Sequence, residues 1–267
     1  MTKRLIALIM LIFFGLQFLP GLRLKPQAQG AAPDYRNNNC VNCHATVGEP
    51  LHVSSRFYEW QDSRHQARNV GCEKCHGGNP GATDPQQAHA GVFNVDDPRS
   101  RMHYRNQPET CGNCHRAVVR AFVQSEHYQK LKGNGLGASC NTCHAHMATQ
   151  VVYAPKETAD MCARCHDSIN YLTPRPEIPR RAYETMQAFQ RANSMINWAL
   201  LLQAEGQRRG LDLKTEHAEL LAAKKALADA QISWHEFKLD EVRKQADAAF
   251  FKGMKVRDGL RRKLGVA

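Results

Sequence analysis

Aromatic side chains are scarce in this sequence: Phe, Trp and Tyr make up only 7% of its 267 residues. Few large side chains are therefore available to fill a core of protein alone. Long apolar runs are scarce as well. Residues 5–22 form one of 18, and no second run of that length follows, so at most one membrane span is on offer. The charged fraction of 23% is ordinary, which excludes wholesale disorder. No cysteine stands alone. The Lys and Arg residues outnumber the acids by 36 to 25, a formal charge of +11, and such a balance raises nucleic acid or an anionic membrane as partners.

What is present in excess is a pattern. The ten cysteines fall as five pairs, each pair separated by two residues and followed at once by histidine. Motif 1 is Cys40, Cys43 and His44; motif 2 is Cys72, Cys75 and His76; motif 3 is Cys111, Cys114 and His115. Motif 4 is Cys140, Cys143 and His144, and motif 5 is Cys162, Cys165 and His166. C-x-x-C-H is the attachment signature of c-type haem. Two thiols three residues apart can form thioethers to the two vinyl groups of one porphyrin, and the adjacent imidazole then lies beneath the iron. A zinc ribbon also uses C-x-x-C pairs, but it combines two pairs in one Cys₄ site and gives no reason for a histidine after every pair. A thioredoxin-type dithiol occurs once, beside a βαβ pattern, and a disulfide framework needs no fixed spacing. The expected cofactor is five covalent haem c groups.

Haem c is attached outside the cytoplasm in bacteria, so an export signal is required. Lys3 and Arg4 precede the apolar run, Pro20 and Gly21 break it, and small residues at Ala28 and Gly30 suit cleavage before Ala31. The run is long for a secretory signal and just long enough to span a membrane. Residues 1–30 are thus a cleaved signal peptide or a retained anchor, and the expected location is the periplasm or another exported site, with attachment to the outer face of the cytoplasmic membrane as the alternative.

Residue type divides the rest. Residues 31–176 hold all five motifs, which run from Cys40 to His166 at about 25 residues per haem, with many Gly, Asn and Pro and little periodicity. At that density the porphyrins form the core. Residues 177–267 contain no cysteine and are rich in Ala, Leu, Lys, Glu and Gln, a composition that forms helices. Pro179 suits a helix start, Gly206 and Gly210 weaken and then end the first helix, Asp212 or Thr215 can cap the second, and Gly253 and Gly259 mark its fraying or final break. The expected fold is mainly α: a haem-packed domain with little regular structure, then a C-terminal helical hairpin or bundle packing on it.

Eight histidines lie outside the motifs: His52, His65, His89, His103, His127, His146, His217 and His235. They suffice to close five irons with a second imidazole, which suits electron transfer, whereas an open iron suits substrate chemistry. His65 and His127 sit in a repeat. Trp60, Ser63 and His65, ahead of motif 2, share the aromatic-x-x-Ser-x-His spacing of Phe122, Ser125 and His127, ahead of motif 4, as a duplicated two-haem unit would. His146 lies too close to His144 to reach over the same haem and must serve another. His235 follows Trp234 in the helical region. His103 and His89 are further candidates, while His52 and His217 rank lower and His217 reads as solvated.

Taken together, five C-x-x-C-H motifs, a Ser-x-His ahead of a motif, and a helical C-terminal zone carrying a histidine resemble the superfamily of multihaem cytochromes c that includes hydroxylamine oxidoreductase and pentahaem nitrite reductase. The resemblance covers residues 40–260. It implies His127 over the motif 5 haem, His235 over motif 4, His146 over motif 2 and, by the repeat, His65 over motif 3, with His103 or His89 left for motif 1. Two departures weaken a catalytic reading. The pentahaem reductases have C-x-x-C-K at their open haem, whereas all five motifs here end in histidine. Tyr153, Tyr171 and Tyr183 give no specific reason to expect a haem crosslink.

The function expected is electron relay between other redox proteins, through mostly bis-histidine haems of low potential. The alternatives are a reductase or oxidase of a small nitrogen or sulfur species at one open haem, and a membrane-anchored subunit of a quinol-linked complex. Nucleic acid is not an expected partner, because the basic residues are dispersed among acids at helical spacing. Setting aside Lys3, Arg4, Arg23 and Lys25 takes the charge from +11 to +7, and five pairs of haem propionates bring it to about +2 when oxidised and about −3 when reduced.

Overall fold

The computed structural model describes residues 34–48, 51–147, 154–167 and 173–266, with backbone alone at 51–55. The segment at residues 1–30 and the tyrosines at 153 and 171 lie outside these, as does the His52 side chain. Among the described residues there is no β-strand, and no helix is long and apolar enough to cross a membrane.

The motif-bearing segment is built from short helices. They are α1 (Asn39–His44), α2 (Leu51–Gln61), α3 (Cys72–His76), α4 (Pro85–Ala88), α5 (Gln107–Gly112), α6 (Arg116–Val123), α7 (Glu126–Gly133), α8 (Cys140–His144) and α9 (Pro155–His166). Glycines at positive φ separate several of them. At Gly78, with φ 84°, an added Cβ would fall within van der Waals overlap of the Ala88 carbonyl, so this close approach of two backbone strands admits glycine alone. Among the described residues, buried hydrophobic side chains are few here: Trp60, Ala121, Phe122 and Leu131.

Three long helices follow: α10 (Glu177–Arg208), α11 (Lys214–Ser233) and α12 (Leu239–Leu264). Arg181 with Asp240, Arg243 with Glu184 and Arg191 with Asp247 join α10 to α12 in ascending order along both, so these two run parallel. Lys255 with Glu219 and Lys263 with Glu216 join α12 to α11 in the opposite sense. The result is an up-down-up bundle around one apolar cluster that includes Met186, Ile196, Leu220, Leu227, Val242, Val256 and Leu260. Burying each of the larger side chains contributes about 1.5–3 kcal/mol.

The bundle differs from the sequence expectation in where it breaks. Gly206 and Gly210 do bracket the end of α10 at Arg208, with Gly210 at φ 72°. Asp212 accepts the Lys214 N–H at 3.2 Å at the start of α11. The next break, however, falls at a 3₁₀ turn, Trp234–Glu236, followed by Phe237 at φ 59°, and α12 continues through Gly253 and Gly259. The physical reason is packing. A Cβ on Gly253 would sit 3.1 Å from Ile196 Cγ1, so this glycine permits close approach of α10 and α12 instead of ending a helix. At the break, Trp234 packs on Phe189 of the bundle, while Phe237 packs on Phe122 of α6. That turn and the packing of α9 on α10 tie the two segments together.

Candidate functional site

Each motif puts its thiols on one side of a helical turn. Motifs 1, 2, 4 and 5 lie on α1, α3, α8 and α9, and motif 3 runs off the end of α5 into His115, the residue before α6. Residues three apart face the same way on a helix, so both cysteines of a pair can address one edge of a planar group. Caps hold two of these short helices in place. Asn38 accepts the Val41 N–H of α1 at 3.3 Å, and Ser139 with Thr142 forms a capping box on α8.

Each motif histidine faces a different histidine from elsewhere in the chain. Ring centres of His44 and His89 are 6.1 Å apart, those of His76 and His146 6.4 Å, and those of His115 and His65 5.9 Å. The His144–His235 pair is at 6.3 Å with rings 18° from parallel, and His166–His127 is at 6.0 Å. Two metal–imidazole bonds of about 2 Å each, plus half a ring beyond each nitrogen, separate the ring centres of a two-imidazole iron site by about 6 Å. The five separations fit a haem iron between each pair.

Local structure aims these rings. Ser63 and Ser125 are buried, and each hydroxyl accepts a backbone N–H, from Gln66 at 3.2 Å and from Tyr128 at 3.1 Å. Each therefore fixes the turn that carries the histidine two residues on. The repeat extends to the partners, since His65 and His127 each face the motif after next. Four rings are oriented through Nδ1: His89 to the Pro85 carbonyl at 2.7 Å, His235 to Ile232 at 3.2 Å, His166 to Thr173 at 3.1 Å, and His146 to the Glu59 carboxylate at 3.1 Å. In these four, Nε2 is left to meet a metal.

Electrostatics favour the neutral imidazole that binds iron. Burial lowers the proton affinity of His44, His65, His76, His144 and His235. It pushes His127 down to about 4, with the facing His166 adding to the effect. Burial also lowers His146, against the pull of Glu59.

The cysteines show how the motifs are arranged. Burial raises Cys72 to about 11, with Cys40 as its next neighbour, and burial raises Cys75, next to Cys111. A hydrogen bond with Cys140, then burial, raises Cys111. Burial raises Cys143 to about 12, with Cys162 and Cys165 beside it. Consecutive motifs are therefore spatial neighbours from first to last. Among the described residues, no three His, Cys, Asp or Glu side chains gather as a protein-only metal site requires. The donors come instead as thiol pairs and imidazole pairs, in a segment with few buried hydrophobic side chains among its described residues. This donor set fits c-type haem and does not fit a zinc ribbon.

The remaining histidines stand apart. His103 is buried with its ring 4.5 Å from that of Tyr104, and among the described residues it has no ring contact with a motif histidine. His217 is exposed and meets Gln203 Nε2 at 3.0 Å, joining α11 to α10. Two groups escaped the sequence reading. Glu59 reaches His146 across 87 residues, and Arg56 contacts Glu59 at 2.8 Å. No local pattern distinguishes them from surface charges on a helix.

Comparison with known proteins agrees with the donor set. Residues 23–77 match the family model "Cytochrome c554 and c-prime". The chain is 32% identical over 114 residues to the C-type polyheme cytochrome OmcC of Geobacter sulfurreducens, which is 40% of this chain and 14% of that protein. It is 30% identical over 152 residues to the C-type polyheme cytochrome OmcB of the same species, 53% of this chain and 18% of that one. The chain thus spans less than a fifth of the length of these relatives. No solved structure matches it. The likeness is to multihaem c-type cytochromes, which carry covalent haem and transfer electrons.

Proposed function

We propose that this chain is an exported cytochrome that carries five haem c groups, each closed by two histidines, and relays electrons between other redox proteins. The observation that carries this reading is the pairing of every motif histidine with one other histidine at 5.9–6.4 Å. Each haem, once bound, supplies a one-electron ferric/ferrous couple. The cysteine pairs would hold it covalently, and its iron would be held by each motif histidine together with His89, His146, His65, His235 and His127, for motifs 1 to 5 in turn. Two imidazoles per iron exclude a substrate position, which argues against a small-molecule reductase or oxidase. The neighbouring cysteines of consecutive motifs support a relay laid out in sequence order. Export is supported by the attachment chemistry and by Lys3, Arg4 and the apolar run behind them.

Mass measurement and the oxidised spectrum test this together. Five haems per chain, all low-spin, with no spectral change on adding cyanide or nitrite to the oxidised protein or CO to the reduced one, is the expected result. A high-spin component that binds any of these would overturn the closed relay. N-terminal sequencing of the mature protein separates a cleaved signal, beginning at Ala31, from a retained anchor.

A further inference from the structure

The motif 2 pair differs from the other four in what stands behind its second imidazole. His146 directs Nδ1 to a carboxylate, with Glu59 Oε2 at 3.1 Å. His89 and His235 direct theirs to the backbone carbonyls of Pro85 and Ile232, and the Nδ1 atoms of His65 and His127 are buried without a hydrogen-bond partner. Among the described residues, one of the five imidazoles that face a motif histidine therefore meets an anion. An imidazole that donates its N–H to a carboxylate is more basic at the other nitrogen. Stronger donation from an axial ligand favours ferric over ferrous iron and lowers the potential. A second charge bears on the same carboxylate. Arg56, one helical turn earlier on α2, places Nη1 2.8 Å and 3.0 Å from the two Glu59 oxygens, drawing off part of the negative charge that would otherwise act on His146.

We propose that Glu59 is a positioning residue which, through His146 Nδ1, holds down the potential of the motif 2 haem, and that Arg56 sets how far. This rests on reading His146 as an iron ligand. Glu59 makes no contact with the iron and takes no part in attachment. It orients one ring, fixes its tautomer and adds charge behind it.

The test is a spectroelectrochemical titration of the full haem-loaded protein, in which dithionite gives one electron to each ferric iron and no bond is made or broken. His146→Met identifies the relevant wave, because methionine ligation moves it positive. Glu59→Gln is expected to move that same wave positive, Arg56→Gln to move it negative, and both to leave the other four waves in place. Glu59→Asp restores part of the shift. A merely structural role for Glu59 would not give opposite signs for the two variants. Unmoved waves in both variants, shifts in one direction, or a shift of all five waves together would overturn the proposal. If His146→Met leaves every wave and the low-spin spectrum unchanged, the ligand reading itself has failed. If His146→Met moves a wave and Glu59→Gln does not, the failure belongs to the role of Glu59 alone.

Discussion

Replacing His235 with alanine tests most directly whether the helical bundle serves one of the proposed haem sites. His235 sits in the 3₁₀ turn between α11 and α12, its ring 6.3 Å from that of His144 and its Nδ1 3.2 Å from the Ile232 carbonyl. Deleting the ring removes one of five second imidazoles, so one fifth of the low-spin signal should convert to high-spin. Removing that hydrogen bond costs only about 1 kcal/mol, and the apolar cluster from Met186 to Leu260 does not include the residue, so the bundle stays folded. Trp234 and Phe237 still pin the turn against Phe189 and Phe122. Electron paramagnetic resonance of the oxidised protein and CO titration of the reduced protein read the outcome: one CO bound per chain, where the unmodified protein binds none. An unchanged low-spin intensity, or CO binding at more than one iron, would refute the reasoning that the bundle supplies one ligand to one site.

Further perturbations probe separate layers. Ser125→Ala removes the cap of α7 and should cost about 1 kcal/mol, seen in a thermal melt, together with a loosened His127 and a fraction of high-spin signal from one haem. Leu260→Ala, at a side chain that is fully buried, should cost about 2–5 kcal/mol in denaturant unfolding while leaving the oxidised spectrum unchanged. Replacing both Cys162 and Cys165 with serine should lower the mass by one haem and the visible absorbance by one fifth; a loss of two or more would show that motif 5 is needed for attachment at its neighbours.

Legibility in the sequence follows the range of the interaction. A C-x-x-C-H motif is written within five residues, and one helical turn is enough to bring its donors to one edge, so the candidate attachment sites are legible without a fold. The helical C-terminal zone was equally open, because composition and apolar spacing act through the local 3.6-residue period. The kink at Trp234–Lys238 was not, since it contains neither glycine nor proline; it exists because Trp234 and Phe237 have partners on different segments. Gly253 carried a misleading local signal for the same reason, being selected by the neighbouring helix and not by its own.

The sequence by itself determined how many C-x-x-C-H motifs there are, which cysteines and adjacent histidines make them up, and that helices dominate the rest. For motifs 2 to 5 the folded chain brings together the histidine pairs that the family resemblance implied; only the tertiary structure decided which distant histidine faces motif 1. The sequence left His103 and His89 both open, with His103 the better placed, and the folded chain brings His89 to His44 and seats His103 against Tyr104. It also carried Glu59 to His146 across 87 residues. Covalent attachment needs donors within one turn of chain, whereas the opposite face of a porphyrin can be reached only by a segment that the fold returns to it.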